Sequence, residues 1–321
     1  MRLQPKGPQA EAMGHSKLQN RRQFIRSTTA AGIAAGTLPW LGARGRAQES
    51  LFSISLAQWS LNRRHFSGDL DALDFPIFTK STFGITAVEY VNQFFMDKAK
   101  DRQWLTELKL RCDTEGVRSL LIMCDREGNL GDPDDAARAQ AVENHYKWVE
   151  AAEFLGCHSI RVNAGSSGTW EEQRALATDG LRRLSEFGAD HGLNVIVENH
   201  GGLSSNGQWL AEVISGVELP NCGTLPDFGN FFITREPPDE YDRYRGVEEL
   251  MPFAKGVSAK SYGFDADGNE TTIDYRRMLR IVLDAGYRGH IGVEWEGQEP
   301  GDIEGIRLTQ SLLERIRAEI A

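Results

Sequence analysis

Cysteine is scarce in this chain: four in 321 residues. Cys112, Cys124, Cys157 and Cys222 stand far apart, without CxxC or zinc-ribbon spacing, so no structural zinc site or dithiol redox pair is written here. Export would permit disulfides, but four such residues need not pair. Cys124 and Cys157, beside apparent strands, read as small core residues. Long apolar runs are also missing. The most apolar N-terminal stretch, Ala30 to Leu41, is too short and glycine-rich to span a bilayer, so no stable membrane anchor is expected. Basic charge is short as well, with 36 Lys/Arg against 46 Asp/Glu. Eight of those basic residues and one of the acids fall within residues 1–47, leaving 28 against 45 in the remainder, a net of −17. Such a surface repels nucleic acid and anionic lipid and disfavours phosphorylated substrates. Finally, the segment "AQWSLNRRHFSG" after the first apolar run has no Gly-rich phosphate turn. That counts against a doubly wound dinucleotide fold, the second-ranked architecture.

What is present begins with a leader. "NRRQFIRSTTAAGIAAGTLPWLGARGRA" pairs Arg21 with Arg22, places Phe24 just after them, and follows with an Ala/Gly-rich stretch. Gly45 and Ala47 offer a cleavage point near Arg44 and Arg46. This is the layout of a twin-arginine export signal. The expectation is a signal over residues 1–47, a single domain over 48–321, and a periplasmic or secreted protein.

From residue 51 short apolar runs alternate with longer amphipathic ones. Strands are expected over 52–60, 85–92, 118–124, 159–165, 194–200, 223–230, 254–262 and 290–297. Helical stretches lie between them, as in "TWEEQRALATDGLRRLSEFGADHG". Eight βα units in this length match a closed (β/α)8 TIM barrel, for which about 250 residues is typical. Pro226 interrupts the sixth run, and residues 231–249 read as a long loop. The acidic "DPDDAARA" reads as a helix start, where acids complement the helix dipole. His158 and His290 precede strands and read as structural.

Active sites of such barrels form at the C-terminal strand ends, and residues two apart on a strand share a face. The fifth run ends in Glu198 and His200, and the sixth in Asp227 with Asn230 beyond it. The seventh ends in Ser258 and Lys260, and the eighth in Glu294 and Glu296. Gln58 and Trp59 end the first run, Glu89 and Asn92 the second, and Asn163 the fourth. Trp59, Trp295 and Phe231 are suited to stacking on the apolar face of a ring, with barrel packing as the alternative. Converging carboxylates repel one another and raise their own pKa values. They call for a compensating cation, either a divalent metal or Lys260.

These strand-end residues are similar to those of the sugar-phosphate isomerase/epimerase group of xylose isomerase-like TIM barrels, over residues 51 to about 318. The resemblance implies metal ligation by Glu198, Asp227 and Glu294, with Lys260 matching a family lysine. Asn230 and Ser258 stand where the family carries histidines, and His200 is placed to supply a nitrogen instead. An oxygen-rich set implies Mn2+ or Mg2+. The implied chemistry is proton abstraction beside a sugar carbonyl, with Glu198 and Glu294 as acid and base through an enediolate and Lys260 assisting. Gln58, Trp59, Glu89, Asn163, His200, Asn230 and Trp295 would contact the sugar. The substrate would be a small unphosphorylated sugar or keto-sugar for an isomerase or epimerase. A lyase acting on a keto-glycoside and a non-catalytic sugar-binding protein are the alternatives. A homodimer or tetramer is compatible with the exposed helices.

Overall fold

The computed structural model describes residues 51–321; the expected leader and its cleavage point lie outside them. The strands are β1 (Ser53–Ala57), β2 (Ala87–Val91), β3 (Arg118–Met123), β4 (Ser159–Val162), β5 (Asn194–Glu198), β6 (Cys222–Leu225), β7 (Phe232–Arg235), β8 (Pro238–Glu240), β9 (Val257–Ser261) and β10 (His290–Trp295). All except β7 and β8 form one parallel sheet in the order β6-β5-β4-β3-β2-β1-β10-β9. Its two edges meet. Bridges join Thr224 to Ala254 and Asp227 to Ser258, with Ser258 N–H donating to Pro226 O at 2.9 Å and Phe228 N–H to Ser258 O at 3.1 Å. The sheet is therefore the barrel that the alternating pattern predicts. Pro226 has no N–H to give a ladder, and regular pairing of β6 stops just before it.

Strand alternation sorts the side chains into two cores. Outward residues such as Ile160, Val195, Val197, Ile291 and Val293 join the large core shared with the helices. A smaller cluster of Ala57, Val91, Leu121, Met123, Ile196 and Leu225 is separate from it and fills the lumen. The helices follow local signals. Thr169 opens the helix Trp170–Asp190 with a capping box: its hydroxyl accepts from Glu172 N–H, and the Glu172 carboxylate accepts from Thr169 N–H at 2.8 Å. Asp134 caps Asp135–Leu155 by accepting from Ala137 N–H at 2.8 Å, as the acidic run there suggests. Residues 231–249 differ from the expected loop. They form the β7–β8 hairpin and most of the helix Arg243–Leu250, whose N-cap Asp242 accepts from Tyr244 and Arg245 N–H. No helix among the described residues is long and apolar enough to cross a membrane.

Candidate active site

Inward positions at the strand ends bring seven charged or polar groups together. They are Arg161 on β4, Glu198 on β5, Asp227 after β6, Ser258 and Lys260 on β9, and Glu294 and Glu296 on and after β10. Parallel pairing sets Lys260 beside Glu294, and the closing bridge sets Asp227 beside Ser258. Lys260 is fully buried, with Nζ 2.8 Å from Glu294, 3.3 Å from Glu296 and 3.8 Å from Asp227. The Ser258 hydroxyl lies 2.7 Å from Asp227 Oδ2 and 2.7 Å from Glu294 Oε2. One hydroxyl carries one hydrogen, so it donates to one of these two carboxylates at a time. Burial raises Glu294, but the Lys260 charge and the Lys260 and Ser258 hydrogen bonds outweigh it and keep this carboxyl below its ordinary range. Asp227 moves the opposite way: burial raises it, Lys260 opposes, and the charges of Glu198 and Glu294 add to the rise. Asp227 Oδ1 also accepts from Gly229 and Asn230 N–H, each at 2.8 Å.

Glu198 occupies a different environment. Its Oε1 accepts from Asn230 Nδ2 at 2.8 Å, and Arg161 Nε lies 2.7 Å from Oε2. That ion pair is not aligned as a hydrogen bond, and Oε2 has no hydrogen-bond partner. Burial raises the Glu198 pKa against the Arg161 charge, and Glu294 adds to the rise. Arg161 also reaches Asp125 at 2.9 Å, and Asn163 Nδ2 donates to the same carboxylate at 2.9 Å. Burial would raise Asp125, but the Arg161 charge and hydrogen bonds from Asn163, Gln93 and Arg161 hold it well down. The sequence reading missed Arg161 and Asp125. Their signal was an arginine at an inward position of "SIRVNAG", which a barrel interior tolerates only beside carboxylates.

Three of these groups, Asp125, Arg161 and Glu294, line a cleft of about 120 Å³. Val91 and Met123 of the lumen cluster form its apolar side; Trp59, Gln93, Asp125, Arg161, His200 and Glu294 supply the rest. Trp59 Nε1 donates to Glu296 at 2.6 Å. His200 is open to solvent at the mouth. The protein mass around its ring and the positive charges of Arg161 and Lys260 lower its pKa, so it stays neutral.

Other expected contacts lie elsewhere. Trp295 faces outward, fully buried, and its indole fills the space where a Cβ on Gly297 or Gly305 would stand. It packs the barrel wall and does not touch the cleft, because the side chain of Glu294, one residue earlier, takes the inward side. Phe231 is likewise buried, against Gly246. Gln58 is buried and accepts from Val91 N–H at 2.9 Å, tying β1 to β2. Glu89 sits deeper in the barrel, accepting from Ser55 at 2.6 Å against Gly292. Arg118 and His290 pair at 2.9 Å at the opposite barrel end.

Glu198, Asp227 and Glu294 each offer an oxygen within 4.8 Å of the others. With Glu198 Oε2 ion-paired to Arg161 but making no hydrogen bond, this buried, all-oxygen triad fits a hard divalent cation. His200, expected as a nitrogen ligand, lies outside this triad. Where the resemblance expects a histidine, Ser258 joins two of the carboxylates instead.

A parallel eight-stranded barrel with a carboxylate-lined cleft at its C-terminal strand ends defines the class of this site. The xylose isomerase-like TIM barrel family model matches residues 80–317, and the chain belongs to that family. A C-glycoside deglycosidase alpha subunit from Arthrobacter globiformis is 34% identical over 85 residues, 25% of this chain and 22% of that subunit. The chain thus aligns with about a fifth of that relative's length. Among solved structures, a D-tagatose 3-epimerase-like protein superposes with TM-score 0.63 at 16% identity, over 84% of this chain and 100% of that one. A xylose isomerase-like barrel from Mycobacterium smegmatis, in complex with magnesium, gives TM-score 0.63 at 15% identity, over 84% and 98%. These last two likenesses establish the fold.

Proposed function

We propose that the protein removes a proton from the carbon beside a carbonyl of an unphosphorylated keto-sugar or keto-glycoside. The observation that carries this reading is a pair of buried glutamates, Glu294 lining the cleft and Glu198 held behind its Arg161, whose surroundings push their protonation apart. Such divergence marks an acid and a base. Glu294, kept ionised by Lys260 and Ser258, takes the proton, and the electron pair moves onto the carbonyl oxygen. Glu198, inclined to hold its proton, returns one to the sugar. Arg161 and neutral His200 supply hydrogen bonds to sugar oxygens, and Trp59 offers a ring face. Glu198, Asp227 and Glu294 would hold Mn2+ or Mg2+, which when bound polarises the carbonyl and steadies charge on its oxygen. The two buried cations at these strand ends, Arg161 and Lys260, are already paired with carboxylates. The cleft thus has little to offer a phosphate.

Reprotonation by Glu198 gives an isomer or epimer. In the second reading Glu198 protonates a group leaving from the β-carbon: the C–X bond breaks, its electrons depart with the group, and a conjugated enone remains. The deglycosidase relative favours that outcome. Incubation with unphosphorylated keto-sugars and keto-glycosides separates them, because epimers appear by NMR and the enone by near-ultraviolet absorbance. Turnover of phosphorylated sugars alone would overturn the proposed substrate class, and sugar binding with no product would leave a binding protein.

We further propose that residues 1–47 are a twin-arginine signal removed on export. The Arg21–Arg22 pair and the Ala/Gly-rich run support it. N-terminal sequencing of the periplasmic or secreted fraction should begin near Gln48; an intact Met1 there contradicts it.

A further inference from the structure

An aromatic ledge runs from the cleft to solvent. Trp59 and Phe94 both pack on the lumen cluster, stacked with ring centroids 6.0 Å apart. Phe66 meets both edge-on, at 6.1 Å from Trp59 and 5.1 Å from Phe94. His65 stacks behind on Phe94 at 4.5 Å. Burial lowers the His65 pKa to about 4, so the ledge carries no charge near neutrality. Phe66 is 59% exposed, the most exposed large apolar side chain among the described residues.

An isolated exposed phenylalanine is ordinary. This one extends an aromatic surface whose inner member, Trp59, lines the cleft itself. Ligand sites that enclose a larger molecule run to about 300–1,000 Å³, and this cleft is about 120 Å³. It has room for little beyond the reacting sugar, so a substituent on that sugar must leave through the mouth. An outer ledge of Phe66 and Phe94, uncharged and edge-to-face, suits a flat aromatic ring, which gains from stacked and T-shaped contacts. An alkyl group would gain less there, and an anion would be repelled by the ring faces.

We propose that Phe66 and Phe94, continuing from Trp59, form a subsite for an aryl group carried by the sugar, making aryl glycosides the preferred substrate class. This rests on the reading that the cleft holds a sugar, and binding measurements separate it from the chemistry. Phenyl and methyl glycosides of the same sugar, in glucose and galactose pairs, are titrated calorimetrically into the wild-type chain and Phe66→Ala. Phe66 lies largely in solvent, so its truncation should spare the fold, as circular dichroism can verify. The wild type should bind at least one phenyl glycoside about tenfold more tightly than its methyl partner, and Phe66→Ala should reduce that preference to about threefold or less. Equal affinities, no binding of any phenyl glycoside, or a preference unaffected by Phe66→Ala would overturn the subsite. A second copy covering the ledge would appear as a change of mass by light scattering with the preference unchanged, which also overturns it. An intact aryl preference with no proton exchange in D2O would leave the subsite standing and remove the proposed reaction.

Discussion

Glu294 and Glu198 differ in what surrounds them more than in depth, since both are buried. Lys260 and Ser258 bond directly to Glu294, whereas Glu198 Oε2 meets Arg161 out of hydrogen-bond alignment. Glu294→Gln should keep the fold and lower turnover by about 10²–10⁴, the usual loss with a general base; steady-state kinetics check it, and retention of more than about a tenth of the rate contradicts it. Arg161→Met removes the partner of Glu198 and Asp125 and should cost about 3–5 kcal/mol in urea unfolding, as when a buried ion pair is broken. Glu89 tests the sign of a raised pKa. Burial, opposed by Ser55 and reinforced by the charges of Glu294 and Glu198, lifts it from 4.5 to about 7. The native state therefore holds a proton that the unfolded chain releases, and stability falls as pH rises from about 4.5 to 7. Glu89→Gln should match the wild type near pH 4 and exceed it at pH 8 by up to about 3 kcal/mol. Equal stabilities at both values would show that Glu89 is not held neutral. At this scale the sequence exposed Glu198, Asp227, Lys260 and Glu294, because each closes an apolar run. It hid Arg161, whose partners come from other strands, and it misdirected Trp295, whose outward side is set by a register that one strand does not reveal.

Among the secondary-structure elements, most of the strands were legible because β-branched runs ended in polar groups, and the helices because caps and apolar stripes bounded them. The β7–β8 hairpin was not, since "FFITREPPDEYDRYRG" mixes prolines and charges that read as loop. Its short strands pair mainly with each other, so no buried face imposed a period of two. Helix seating onto the barrel depends on close contacts that are also silent in sequence. A Cβ at Gly180, in the helix Trp170–Asp190, would lie 1.8 Å from the Leu130 carbonyl oxygen. That carbonyl belongs to the loop after β3, downstream of Asp125. Gly180→Ala should destabilise the fold by roughly 1–3 kcal/mol, the usual cost of overpacking, and should weaken sugar binding through Asp125. A thermal melt and a sugar titration test it; an unchanged melting temperature would mean the loop yields freely.

For the whole molecule, the barrel's closure at β6 and β9 is what gathers the triad, because Asp227 and Ser258 meet across that seam. Four acids, Glu198, Asp227, Glu294 and Glu296, thus gather at these strand ends, with Arg161 and Lys260 too few to balance them. If a divalent ion completes that balance, EDTA should abolish activity and lower the melting temperature, and Mn2+ or Mg2+ should restore both. Full activity in EDTA would assign the balancing charge to Lys260. Beneath either outcome lies the claim that this cleft takes a proton from carbon. NMR of unphosphorylated keto-sugars and keto-glycosides in D2O measures it directly. The account predicts deuterium at the carbon beside the carbonyl with the wild-type chain and at least 10²-fold slower exchange with Glu294→Gln. Wild-type protein that binds these sugars yet leaves every carbon-bound proton in place would contradict it.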